Sequence, residues 1–158
     1  MTISTSVDFL DTNILVYAVS RRAEDAKKKA AARLLIQPVE QAISLQVLQE
    51  FYRVAVHPKK LGFTHDEAVQ FCDGWRNCFT LLEPTLRLFD ESLKLCARYQ
   101  TSYFDACILA AAAELGCSTV YSEDLNDGQV YGGVQVGGQS VPQSLSRKAI
   151  AASVSSSS

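Results

Sequence analysis

Four carboxylates stand at places where a purely structural role is uncomfortable: Asp11, Glu50, Asp105 and Asp124. Asp11 follows the short apolar run Ser6–Leu10 and precedes Thr12-Asn13, so it falls at the carboxyl end of a predicted strand, the edge at which a parallel sheet presents ligands. Taken alone it serves equally as the N-cap of the helix that follows. Glu50 falls within a helix predicted over Gln46–Val56, at the margin of an apolar arc formed by Val47, Leu48, Phe51, Tyr52, Val54 and Ala55. Its simplest structural account is an i,i+3 pair with Arg53, worth about 0.2–0.5 kcal/mol. Asp105 is harder to explain that way. From Phe104 to Leu115 every residue except Asp105 and Glu114 is apolar, which predicts a helix buried almost all round. The helix dipole favours a first-turn carboxylate by about 0.3–1 kcal/mol. That does not offset burial of an unpartnered charge, so a cation or a strong donor set is required. Asp124 follows the strand-like segment Ser118–Ser122 as Asp11 follows the first strand, with Glu123 and Asp127 beside it; an acidic turn accounts for it equally well.

Taken together the four say more than any one of them. Parallel topology brings the ends of the strands that carry Asp11 and Asp124 to one edge. At an effective dielectric of about 20, two carboxylates about 4 Å apart repel by about 4 kcal/mol. Such a cluster either holds protons or binds cations. Oxygen ligands without imidazole or thiolate select hard ions, Mg²⁺ or Mn²⁺. His57 and His65 flank Pro58-Lys59-Lys60, away from every acidic position, which argues against zinc and predicts that both face solvent.

The elements that must position these groups alternate. Strands are expected over Ser6–Leu10, Gln41–Leu45, Phe79–Leu82, Ser118–Ser122 and Val134–Val136. Helices are expected from the Asp11-Thr12-Asn13 cap through Val19, and over Ala23–Ile36, Gln46–Val56, Thr64–Cys78, Thr85–Tyr99 and Ser102–Leu115, the last closed by Gly116. Strands separated by helices imply parallel crossovers, hence an α/β three-layer sandwich with a central parallel sheet, a Rossmann-like architecture. Six of the eight glycines lie at or beyond 116, and a Ser-rich stretch closes the chain. Residues 1–138 are read as one domain and 139–158 as a flexible tail.

The 158 residues, 47% apolar and 20% charged, have the balance of one globular domain. The longest apolar run, Ala106–Ala113, is far below the roughly 20 residues of a membrane span. No basic n-region precedes the first apolar run, which Asp8 and Asp11 interrupt, so no signal peptide is expected. Five cysteines without a CxxC pair read as small buried hydrophobes in a reducing, cytoplasmic setting. The net charge of −2 conceals an asymmetry: residues 1–60 sum to +3 and residues 61–158 to −5. Arg21, Arg22, Lys27, Lys28, Lys29, Lys59 and Lys60 are candidates to position a polyanion, although a solvated helix face explains most of them as well.

FLDTNILVYA (9–18), LQVLQEFYRV (45–54), TSYFDACILAAAAELGC (101–117) and VYSEDLNDG (120–128) together resemble the PIN-domain ribonucleases, and among them the toxins of VapBC-type toxin–antitoxin pairs. The resemblance implies a metal-dependent endoribonuclease with Mg²⁺ or Mn²⁺ held by an acidic quartet. By position the quartet is Asp11, Glu50, Asp105 and Asp124, with Asn13 and Ser122 as polar supports and Asp127 as an accessory acid. It implies hydrolysis by an activated water that leaves 5′-phosphate and 3′-hydroxyl ends, an RNA substrate and a cognate antitoxin protein. A homodimer is expected from the apolar helices. The segment after Gly138 departs from the family pattern. The alternative within the same fold is a catalytically silent RNA- or protein-binding module. A haloacid dehalogenase-type phosphatase is disfavoured, because Asp8-Phe9-Leu10-Asp11-Thr12 spaces its acids wrongly for that nucleophile motif, and no phosphoacceptor strand and switch lysine of a receiver domain can be identified.

Overall fold

Short strands carry the architecture, those at its centre buried. In the computed structural model, which describes residues 7–36, 40–122, 130–131 and 134–137, these are β1 (Asp8–Leu10), β2 (Gln41–Ser44), β3 (Thr80–Leu82), β4 (Thr119–Tyr121), β5 (Val130–Tyr131) and β6 (Val134–Gly137). They form one sheet in the order β3-β2-β1-β4-β6-β5, parallel except for the antiparallel β5–β6 pair. The chain builds outward from β1 to β2 and β3, then returns to the other side of β1 with β4. That reversal puts the topological switch point between β1 and β4, where Asp8, Phe9 and Leu10 pair with Thr119, Val120 and Tyr121. The expected α/β sandwich with a central parallel sheet is therefore the observed one. β5, its hairpin partner, was not anticipated: a two-residue strand gives no periodicity to read.

The helices are α1 (Thr12–Val19), α2 (Ala26–Leu35), α3 (Leu45–Val56), α4 (His65–Cys78), α5 (Leu86–Tyr99) and α6 (Tyr103–Glu114). Residues Ala23–Asp25, expected to open the second helix, form a separate 3₁₀ turn ahead of α2. Sequence chemistry sets the helix ends. Ser44, Thr85 and Ser102 cap α3, α5 and α6 through their hydroxyls, and Thr64 and Glu67 form a reciprocal capping box at α4. At the end of α6, Gly116 takes φ 72° and donates to the Ala113 carbonyl, while Cys117 donates to Ala112. This paired closure needs a left-handed residue, which glycine supplies without steric penalty. It turns the chain straight into β4.

Phe9, Leu10, Ile14, Leu15, Ile43, Val47, Phe51, Ile108, Leu109 and Val120 fill the centre of the core. A second apolar layer runs along α4, where Phe71 and Trp75 stack with each other and with Phe63 and Phe79 at its ends, and Phe51 is edge-on to Trp75 at 5.9 Å. No helix among the described residues is long and apolar enough to cross a membrane. The cysteines depart from expectation: Cys117 is buried, Cys72, Cys96 and Cys107 are half-buried, and Cys78 is exposed at the last turn of α4. Burial, with the nearby Asp8 charge adding to it, pushes the Cys117 thiol up to about 12. At about pH 8 a thiol reagent should therefore modify Cys78 readily and leave Cys117 untouched until denaturant is added, as read by mass spectrometry of the digested protein.

Candidate active site

Asp11 sits where the ends of β1 and β4 meet. Its backbone N–H donates to the Tyr121 carbonyl at 3.0 Å, carrying the β1–β4 pairing past Leu10. Its side chain caps α1, with Oδ1 accepting from the Thr12 N–H at 2.7 Å. Oδ2 accepts from the Ser122 hydroxyl at 2.7 Å, although the two residues lie 111 positions apart. Asp11 is only 5% exposed and Ser122 is fully buried. Capping and site-building are thus not alternatives for Asp11; one oxygen does each.

Glu50 approaches from α3. Its Oε2 accepts from the Thr12 hydroxyl at 3.0 Å and its Oε1 from Gln46 Nε2 at 3.0 Å. Thr12 therefore joins two of the expected acids, with its N–H on Asp11 and its hydroxyl on Glu50. The anticipated Glu50–Arg53 pair does not form among the described residues: the closer donors on α1 and one turn back on α3 already occupy both oxygens. Thr12 and Gln46 are the functional candidates that sequence reasoning overlooked. Gln46 had a readable signal, its i,i+4 spacing to Glu50.

Asp105 lies in the first turn of α6, where its N–H donates to the capping Ser102 hydroxyl at 3.2 Å. Gln46 Nε2 also reaches the Phe104 carbonyl at 3.3 Å, tying this turn to the neighbourhood of Glu50. The expectation that α6 is buried all round is corrected here. Ile108–Ala112 are buried where the helix packs on β2 and β4, but in its first turn Phe104 is 64% exposed and Asp105 half-buried. Water shares the solvation of Asp105, so its burial alone does not demand a cation. Asn13, half-buried on α1, lines a cavity beside Thr12 and Glu50. Asp124, Glu123 and Asp127 lie outside the described residues. Among the described residues no three His, Cys, Asp or Glu side chains gather closely enough to hold a metal ion. The donors brought to this edge are oxygens of carboxylates, hydroxyls and an amide, which suit a hard divalent cation better than a soft one.

The basic residues separate into groups that sequence did not distinguish. Arg21 pairs with Glu67 and lies over the Phe63 ring at 4.3 Å from its centroid. The Thr64 backbone N–H and, next, Arg21 hold the Glu67 carboxyl below its usual range. Arg22 pairs with Glu24. Lys28 donates to the Tyr17 hydroxyl at 3.1 Å. Lys60 and Arg22 line the same cavity as Asn13, Thr12 and Glu50. His57 and His65 are exposed as expected, and Tyr52 meets His65 Nδ1 at 3.0 Å.

An α/β protein with an acidic, oxygen-rich site at the switch point of a parallel sheet is the class that fold and site define. The family model of the PIN domain matches residues 9–130, and the chain belongs to that family. Three solved structures share the fold. One is a toxin–antitoxin complex from Klebsiella pneumoniae, 23% identical with a TM-score of 0.60, covering 80% of this chain and 94% of that one. Another is VapC20 from Mycobacterium tuberculosis, described as a sarcin–ricin loop cleaving toxin, 18% identical with a TM-score of 0.57, covering 72% and 86%. The third is DNA-bound VapBC from Salmonella typhimurium, 17% identical with a TM-score of 0.60, covering 85% and 99%. No curated protein matches the chain.

The Ser122–Asp11 bond is buried and made to a carboxylate, so its removal should be felt. Ser122→Ala is expected to destabilise the fold by about 1–3 kcal/mol, measured by urea unfolding in EDTA.

Proposed function

We propose that this protein is a metal-dependent endoribonuclease of the VapC toxin type, with Asp11, Glu50, Asp105 and Asp124 as the acids that hold Mg²⁺ or Mn²⁺. The observation that carries the reading is the buried Asp11 carboxylate at the β1–β4 switch point of a PIN-family chain, joined to Glu50 through Thr12. The oxygen-only donor set fits such an ion. When bound there, the ion supplies Lewis acidity that activates water for in-line attack and neutralises charge on the departing oxygen.

The chain's own residues do the positioning. Ser122 and the Thr12 N–H fix the two oxygens of Asp11, so that carboxylate needs little reorganisation. Thr12 and Gln46 restrain Glu50 in the same way. Asn13 is a further polar support of the first acid, Ser122 lies two residues before the fourth, and Asp127 is an accessory acid. Arg21 and Arg22 are largely neutralised by Glu67 and Glu24, while Lys60, on the wall of the adjoining cavity, and Lys27, Lys28, Lys29 and Lys59 supply positive charge along the path of the RNA. Their contacts make binding salt-sensitive. The structural likeness to toxin–antitoxin complexes supports an antitoxin partner, a peptide that covers the acidic edge and inserts a basic side chain among the carboxylates.

Asp11→Asn and Asp105→Asn should each keep the fold and reduce cleavage of total RNA to background in Mg²⁺ or Mn²⁺, and EDTA should do the same to the unaltered protein. End mapping should find 5′-phosphates and 3′-hydroxyls. Full activity of either variant removes that residue from the site, and cleavage in EDTA removes the metal.

The reading includes a homodimer. Leu86, Phe89 and Leu93 on α5 and Tyr103 and Phe104 on α6 form an apolar surface in solvent, with Phe89 and Phe104 both in edge contact with Tyr103. Such a patch on a small domain marks an interface. Leu86→Glu together with Leu93→Glu should convert the species seen by sedimentation velocity from dimer to monomer; a monomeric parent protein would remove this part of the reading.

A further inference from the structure

Glu50 and Arg53 stand three residues apart on α3, a spacing at which helical ion pairs form. Both oxygens of Glu50 accept bonds from Thr12 and Gln46 instead. Among the described residues the Arg53 guanidinium makes no hydrogen bond or ion pair, and neither does the Lys60 ammonium. Both cations line one cavity of about 330 Å³, whose wall includes Thr12, Asn13 and Glu50. The other charges there are committed: Arg22 to Glu24, and Asp25 to the Ser20 hydroxyl at 2.6 Å. What remains uncommitted in this concavity is positive, and it lies directly beside the acidic edge.

We infer that Arg53 and Lys60 form a phosphate subsite, one that takes an RNA backbone phosphate flanking the one at the acidic edge. Naming RNA as the ligand rests on the nuclease reading above; the presence of an anion subsite does not. The planar guanidinium of Arg53 suits two parallel hydrogen bonds to phosphate oxygens, and Lys60 adds a compact charge from the loop beyond α3. Arg53 is a positioning residue in this account. It fixes where the strand lies relative to Asp11 and Glu50, and takes no part in bond breaking.

The test uses the full chain carrying Asp11→Asn, in EDTA, with a short fluorescent single-stranded RNA followed by anisotropy over a range of salt. Each neutralised phosphate contact contributes about 0.7 to the slope of log K against log salt on a single strand, which is about fourfold in affinity near 0.15 M salt. Arg53→Gln and Lys60→Gln should each lower the slope by about that amount and weaken binding about fourfold. Arg53→Lys should restore the slope. Arg76→Gln, which removes the same charge from α4 outside this cavity, should change neither. The subsite is overturned if Arg53→Gln and Lys60→Gln behave like Arg76→Gln, or if the chain does not bind RNA. RNA binding with the expected slope changes, in a protein whose unaltered form cuts no RNA, would sink the nuclease reading and leave the subsite standing.

Discussion

A carboxylate held between two strand ends governs the arrangement of everything around it. Removing a charged group from water costs several kcal/mol unless strong donors replace the lost solvation. For Asp11 those donors come from both sides of the switch point: the Thr12 N–H at the start of α1 and the Ser122 hydroxyl just beyond β4. The first is local to the α1 cap, but the second is in place only when β1 and β4 pair in register, and the Asp11 N–H bond to Tyr121 locks that register at the point where it matters. The paired closure of α6 at Gly116 and Cys117 delivers the chain to β4 at the required place. Loss of the register would strand a charge, so the site and the fold are stabilised or lost together.

Much of this was legible in sequence because local chemistry announces itself. Thr64 with Glu67, Ser102 before an alanine-rich run and Gly116 after it each mark a helix boundary through a named hydrogen bond or a backbone angle, and those boundaries stand. Parallel crossovers followed from the alternation of elements, and with them the meeting of the segments that hold Asp11 and Ser122. What was not legible had no local signature. The 3₁₀ turn at Ala23–Asp25 has the composition of the helix it precedes, and β5 is too short for a period to show. The exposure of Phe104 and Asp105 depends on which part of α6 its neighbours cover, which no helical wheel contains.

Charge pairing was the least legible property. The rule that groups three or four apart on a helix pair with each other favoured Glu50 with Arg53. It failed because Thr12, on a different element, sits closer to the carboxylate. Arg21 and Glu67 are 46 positions apart, yet they hold one another, helped by the Phe63 face beneath the guanidinium. A basic cluster in the sequence thus breaks up into cations already neutralised by carboxylates and cations left open, and only the tertiary contacts separate the two.

That separation bears on how a chain with a net charge of −2 could hold a polyanion. Attraction to a phosphate backbone depends on the potential within about a Debye length, roughly 8 Å at physiological salt, and hardly at all on charges across the molecule. Carboxylates at the sheet edge repel a phosphate unless a cation neutralises them, while open cations in the adjoining cavity attract one without help. On the proposed reading the two, side by side, would impose a direction: a strand anchored on Arg53 and Lys60 would present its next phosphate to Asp11 and Glu50. The acidic edge is then poorly suited to bind RNA by itself, and the cavity beside it is poorly suited to cut. An acidic chain with a few uncommitted cations next to its carboxylates needs no basic surface elsewhere to bring the two together.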